Sequence, residues 1–207
     1  GECISMITPD GERTLVTHLG ISQTLSTAEV DAAVLASAQY LYIEGYLVTS
    51  PSALEAALKT QAIAKQHGVK VALTLSDVGL VENFKTEFNT LFQNGIDLVF
   101  CNEDEAKLWT GYSDRDQAAQ ALGEYAASFA MTLSGDGAIV SGRTGEPVFV
   151  PAEMVQALDT TGAGDTFAGG VLYGLARGAN LEDATAHAHL LAKRVVSRFG
   201  ARLDHQE

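Results

Sequence analysis

Apolar positions along the chain switch between a short-run pattern and a helical one. Residues 3–7 are apolar-rich, Pro9-Asp10-Gly11 has turn chemistry and residues 14–19 run on, which predicts a β-hairpin. Helical and strand patterns then alternate. Ser26 or Thr27 caps a helix with apolar Val30, Val34 and Leu35, and residues 40–44 read as a strand. Ser50-Pro51 is a helix start, with Pro at the first helical position, and that helix ends at His67-Gly68. A strand over 69–75, a helix over 81–92 and a strand over 97–101 follow. Asn102 caps a short helix ending near Thr110-Gly111, and Ser113-Asp114-Arg115-Asp116 resembles a capping box. Strands are expected at 129–134, 138–141 and 147–150. Two helices close the chain. The first runs from Gly164 to Arg177-Gly178, and the second is capped by Asn180, with Ala184, Ala188, Leu191 and Val195 on one core-facing stripe.

Strands that are apolar along their length and alternate with helices predict a three-layer αβα fold around a mostly parallel sheet. Ligands in such folds sit beyond the C-terminal ends of the strands. The polar residues expected there are Glu44, Asp77, Asn102, Glu105, Ser134 and the run from Asp159 to Asp165.

Length changes this picture little: 207 residues suit one domain or one domain with a small appendage. A formal net charge of -13 and the lack of a basic stripe argue against a nucleic-acid partner. An acidic chain can still bind ATP, since the local field comes from Mg²⁺ and backbone N–H groups. Cys3 and Cys101 lie in apolar runs and read as buried free thiols rather than a disulfide or metal site. No apolar run is long enough for a membrane span, and no signal peptide is evident, which gives a cytoplasmic expectation. Gly1 is not an initiator Met and the apolar run starts at Cys3, so a fragment or a processed chain is expected.

The chemistry concentrates in Asp159-Thr160-Thr161-Gly162-Ala163-Gly164-Asp165-Thr166-Phe167-Ala168-Gly169-Gly170. Its small residues precede a helix, so the N–H groups of Ala163, Gly164 and Asp165 can point at one spot. The helix N-terminus adds partial positive charge there. This is an anion hole suited to a transferring phosphoryl group. A carboxylate at its mouth would repel phosphate, a cost that makes sense if Asp165 accepts a proton from an attacking hydroxyl. The plain alternative is that Asp165 only caps the helix.

This segment closely resembles the second signature of the ribokinase-like (PfkB) kinases, which act on sugars and nucleosides. The resemblance implies that Asp165 is the catalytic base, with Gly162, Ala163 and Gly164 forming the anion hole. Asn102-Glu103-Asp104-Glu105 looks like the family's N-x-x-E element, which organises Mg²⁺ and phosphates largely through water; a capping box explains the same residues. Thr132-Leu133-Ser134-Gly135-Asp136-Gly137 resembles the nucleotide loop with altered spacing, which places Ser134, Gly135 and Gly137 near the nucleotide; an Asp-Gly hairpin turn is the alternative. His189 occupies a place where many relatives carry Asn near the adenine, and the Gly200-Ala201 loop is expected beside the base. His187 and His189 are two apart and share no helical face, so they suggest no metal pair. Asp159 and Thr161 match positions that bind a K⁺-like ion in several relatives. The opening Thr8-Pro9-Asp10-Gly11-Glu12-Arg13-Thr14 and Gly200-Ala201-Arg202 look most like the adenosine-kinase-like branch.

The family's N-terminal part, with its first glycine-rich signature, has no counterpart here. Residues 1–22 are then expected to be a lid-type hairpin remnant, and 23–207 the ATP-binding and catalytic domain. The implied activity is transfer of the γ-phosphate of ATP, with Mg²⁺ and K⁺ as implied ions, to a sugar or nucleoside hydroxyl. The implied partners are that small molecule and, through the lid, a second copy of the chain. The competing reading is an inactive truncated product or a regulatory nucleotide-binding module. A dinucleotide-binding site fits poorly, because Gly162-x-Gly164-x-x-Phe167 lacks the third glycine, and a P-loop is excluded by the lack of any Gly-Lys pair.

Overall fold

The computed structural model describes residues 1–8, 13–143 and 145–203. Two strands, β1 (Glu2–Ile7) and β2 (Arg13–His18), pair antiparallel with Ile4 opposite Val16 and Ser5 opposite Leu15. They form a two-stranded sheet of their own. The turn expected at Pro9-Asp10-Gly11 lies outside the described residues.

The second sheet has six strands in sequence order: β3 (Tyr40–Ile43), β4 (Lys70–Thr74), β5 (Leu98–Asn102), β6 (Ser128–Thr132), β7 (Gly137–Ser141) and β8 (Val148–Pro151). The pairs from β3 to β6 are parallel, as the helix-strand alternation requires. The helices between and after them are α1 (Ala32–Ala36), α2 (Pro51–His67), α3 (Val78–Asn83), α4 (Lys85–Gln93), α5 (Glu103–Thr110), α6 (Arg115–Leu122), α7 (Ala163–Ala176) and α8 (Leu181–Val196). The fold is thus α/β with a mostly parallel sheet and flanking helices, as expected.

Several local expectations change. The helix expected over 81–92 is two helices, because Phe84 leaves the helical region with φ -125° and ψ 34°. Ser26 caps only a single 3₁₀ turn, and α1 is capped by Asp31. Ser50 makes no capping hydrogen bond, so Pro51 alone marks the start of α2. Asp114 rather than Ser113 caps α6.

The chain separates into two compact units. The first holds residues 1–22, 134–138 and 149–207; the second holds 23–133 and 139–148. In the second unit, Trp109 is fully buried against Phe92, with ring centroids 4.8 Å apart, and against Phe88 at 6.1 Å. In the first unit, α7 packs on α8 so closely that a Cβ on Gly170 would meet Ala188 Cα at 2.9 Å. Ala184, Ala188 and Val195 are buried on that face as the spacing predicted, while Leu191 is half-buried. Cys101 is buried, but Cys3 is exposed, with its thiol 3.2 Å from the Thr17 hydroxyl. The expectation of a buried Cys3 fails because the hairpin is a separate sheet and its apolar strands lie largely exposed.

Candidate active site

In the first unit the turn before α7 is built around Asp159. Only 2% of this residue is exposed. Its Oδ1 accepts from the Thr161 N–H at 2.8 Å and its Oδ2 from the Gly200 N–H at 2.9 Å. The Leu158 and Asp159 N–H groups both reach the Val196 carbonyl, at 2.8 and 3.4 Å. The Thr161 hydroxyl also lies 3.5 Å from the Ser5 hydroxyl of β1.

Gly162 then turns the chain into α7 with φ 77° and ψ 5°, the left-handed region that glycine tolerates best. A Cβ here would overlap the Ala201 backbone. No side chain caps α7. The Ala163 N–H donates to the Thr160 carbonyl at 3.2 Å, and the Thr166 N–H to Gly162 at 2.9 Å. The N–H groups of Gly164 and Asp165 have no acceptor among the described residues. Of the three amides named from the sequence, Ala163 is therefore committed to the turn, and the open donors are Gly164 and Asp165. Both residues are exposed, and a Cβ on Gly164 would meet nothing within 4 Å.

The other positions of this unit singled out in the sequence are Ser134, Gly135, Gly137 and His189. Ser134 sits at φ 53° in a 3₁₀ turn that ends at Asp136, and the Asp136 carbonyl accepts from the Ala152 N–H at 3.1 Å. Gly137 has φ 138°, and a Cβ there would press on the Val150 carbonyl and come within 2.9 Å of Pro151 Cα. Its glycine character is explained by this close approach of β8. Gly135 has space, with Met154 3.7 Å from where its Cβ would be. The His189 ring donates to the Val150 carbonyl, packs on Phe167 at 5.2 Å and leaves Nε2 buried without a partner. Burial holds its pKa below the ordinary value.

In the second unit, Glu44, Asp77 and Asn102 stand at the C-terminal ends of β3, β4 and β5, where ligands of parallel sheets are expected. Asn102 caps α5 by accepting from the Glu105 N–H at 2.8 Å. Glu105 returns two bonds, its Oε2 accepting from the Asn102 N–H and its Oε1 from Asn102 Nδ2, both at 2.9 Å. Glu105 is buried, and desolvation pushes its carboxyl up to about 7, with the negative charges of Asp77 and Asp104 adding to the effect. Sequence reading missed a neighbouring clasp: Ser76, at φ 67°, takes the Gly45 N–H on its hydroxyl at 2.9 Å. Gly45 follows Glu44 directly, but its partner is 31 residues away and nothing local marks it.

No helix among the described residues is long and apolar enough to cross a membrane. No cluster of three or more His, Cys, Asp or Glu suited to a metal occurs among them either. Comparison with known proteins adds the lineage. The adenosine kinase structure from Sinorhizobium meliloti is 36% identical and superposes with a TM-score of 0.93, covering 97% of this chain and 62% of that one. A probable sugar kinase from Rhizobium etli CFN 42 is 38% identical, with a TM-score of 0.92 and coverages of 97% and 61%. The 5-dehydro-2-deoxygluconokinase of Bacillus velezensis is 30% identical over 183 residues, 86% of this chain and 56% of that protein. An Escherichia coli protein whose structure holds ATP and Mg²⁺ shares the fold at 21% identity, with a TM-score of 0.84. The chain spans a little over half the length of that Bacillus relative. The family profile for the pfkB family carbohydrate kinases matches all of residues 1–207, and the chain belongs to that family.

Proposed function

We propose that this chain supplies the ATP-binding and catalytic part of a phosphotransferase that moves the γ-phosphate of ATP to a hydroxyl of a sugar or nucleoside. The observation that carries this reading is the start of α7, where two open N–H groups stand beside the exposed Asp165 carboxylate with no side chain filling the space. Those donors fit an anion whose charge grows in the transition state. Asp165 is the group that takes the acceptor's proton, since phosphoryl transfer needs positioning and charge stabilisation more than a strong base.

Other residues take supporting roles in the same reading. Ser134, Gly135 and Gly137 stand near the nucleotide, and His189 and Gly200 near its base. Asn102 and Glu105 act on Mg²⁺ through water; Mg²⁺, when bound, offsets phosphate charge. The Glu105 oxygens already hold Asn102, which fits an indirect role better than a direct one. Asp159 and Thr161 are the residues for a K⁺-like ion. A homodimer contact is assigned to the hairpin, whose Ile4, Met6 and Val16 are all more than half exposed. The relatives act on different acceptors by name, adenosine and a deoxygluconate, so the acceptor is kept at the level of class.

Titration calorimetry with ATP·Mg, together with an ADP-release assay over a panel of sugars and nucleosides, tests the proposal. Turnover of at least one acceptor is expected. Binding without turnover would favour a regulatory or inactive nucleotide-binding module. No binding at all would overturn both.

A further inference from the structure

Within the first unit, the turn assigned to the phosphates and the loop assigned to the base are held together by one side chain. Asp159 is 2% exposed, and a carboxylate so buried is tolerated only when its charge is met by hydrogen bonds. Each oxygen meets a different segment, Oδ1 the Thr161 N–H and Oδ2 the Gly200 N–H. Thr161 immediately precedes Gly162, whose left-handed turn sets the direction of the Gly164 and Asp165 amides. The same glycine leaves no space between itself and Ala201, so the two segments also touch directly. On the other side, the Val196 carbonyl at the end of α8 anchors the backbone of Leu158 and Asp159.

We propose that Asp159 is a positioning residue that couples the phosphate-facing turn at Thr161–Asp165 to the Gly200–Ala201 loop, so that occupancy of one end of the nucleotide site is felt at the other. The inference rests on the nucleotide reading above and goes beyond it in assigning a linkage between two segments. Only a carboxylate suits the position. Asn offers one acceptor and one donor, so one of the two backbone N–H groups would face an N–H instead of an oxygen. Charge-assisted bonds to the backbone are short and directional, and a displacement of the turn therefore drags the loop with it. The coupling runs through the two backbone donors, one on each oxygen, and since a single N–H does not exhaust a carboxylate oxygen it is compatible with the K⁺-like ion assigned above.

The test places a ligand at one end and reads the other. Pyrophosphate, which has no base, is titrated into the chain while amide exchange is followed residue by residue. The Gly200 amide is expected to slow by at least about threefold on saturation, in choline buffer as well as in K⁺. In Asp159→Asn the response at Gly200 disappears, and the Thr161 and Gly200 amides lose protection together. The measurement on the unmutated chain does not depend on the variant folding. If pyrophosphate binds and Gly200 exchange is indifferent, the coupling is refuted. It is equally refuted if the response survives in Asp159→Asn or appears only with K⁺. If pyrophosphate fails to bind, the anion-hole reading itself has failed, and the inference with it.

Discussion

Two helix starts in this molecule, α5 and α7, solve the same problem in opposite ways. Every helix begins with N–H groups that lack intrahelical partners. At α5 the chain satisfies its own donors: Asn102 and Glu105 form a reciprocal capping box, and three acidic residues, Glu103, Asp104 and Glu105, occupy the first turn. At α7 no side chain caps, and the Gly164 and Asp165 amides are left open. The single acid in the α7 first turn is Asp165. A self-capped start is a stable support for a carboxylate. An uncapped one is a place where a ligand completes the helix. The contrast teaches that a candidate binding turn is marked by the donors that the described residues leave unsatisfied.

The largest effect should come from Asp165. Asp165→Asn keeps the shape and the capacity to cap but cannot accept a proton. On the proposed mechanism, kcat is expected to fall by about 10²–10⁴-fold, while ADP affinity changes little or rises as a negative charge leaves the proposed phosphate site. A kcat preserved within about threefold together with a lower Tm would make Asp165 structural, and α7 would then resemble α5 after all. The two glycines of the turn come next and separate stability from binding. Gly162→Ala meets the Ala201 backbone and a left-handed φ, so both Tm and ADP affinity should drop. Gly164→Val points into open space and should leave Tm nearly unchanged while ADP affinity falls about tenfold or more. Unchanged ADP binding by calorimetry in Gly164→Val would remove the phosphate from this turn.

Much of the architecture was legible because it rests on local chemistry. The strand-helix alternation, Pro51 at the start of α2, Asn102 and Asn180 as caps and the glycine turn before α7 are all written in neighbouring residues. What was hidden depends on contacts distant in sequence. Val81, Phe88, Leu91 and Phe92 make one helical stripe, so the break at Phe84 does not interrupt the pattern. Cys3 sits in an apolar run, and composition alone does not reveal that the strand has no core beneath it. The loss of the Ala163 donor to Thr160 follows from the sharpness of the turn. The Asp159 bond to Gly200 spans 41 residues, and the Gly45–Ser76 clasp spans 31. The local turns and caps were readable; the restraints between segments distant in sequence were not.

Acidity sharpens the comparison from the α5 side. The Glu105 carboxyl is raised to about 7, chiefly by burial, whereas in the unfolded chain it titrates near 4.5. A raised folded pKa means that the folded state holds the proton more tightly. The associated stability is fully present below about pH 4.5 and is lost as pH rises through 7. Glu105→Gln retains a capping partner but does not titrate. Its urea melts should therefore lose less stability between pH 5 and 8 than the unmutated chain, by at most about 3 kcal/mol. Parallel pH profiles for the two proteins would show that Glu105 titrates normally. Mg²⁺ with nucleotide should shift the unmutated profile back toward lower pH if the carboxylate senses the cation.

The smallest expected effect isolates capping itself. Asn102→Ala removes the oxygen that accepts the Glu105 N–H and the amide that donates to Glu105 Oε1, while the backbone bond to Oε2 survives. Loss of an Asn cap costs about 1 kcal/mol, within a range of roughly 0.5–2. For a chain of this size that is a Tm lower by about 2–4 °C. The Glu105 carboxylate also loses one donor, so its titration should move further upward and steepen the loss of stability with rising pH. If instead Asn102→Ala leaves Tm unchanged while ADP·Mg affinity drops, Asn102 serves the ligand rather than the helix. The distinction between a self-capped and a ligand-capped start would then have to be redrawn.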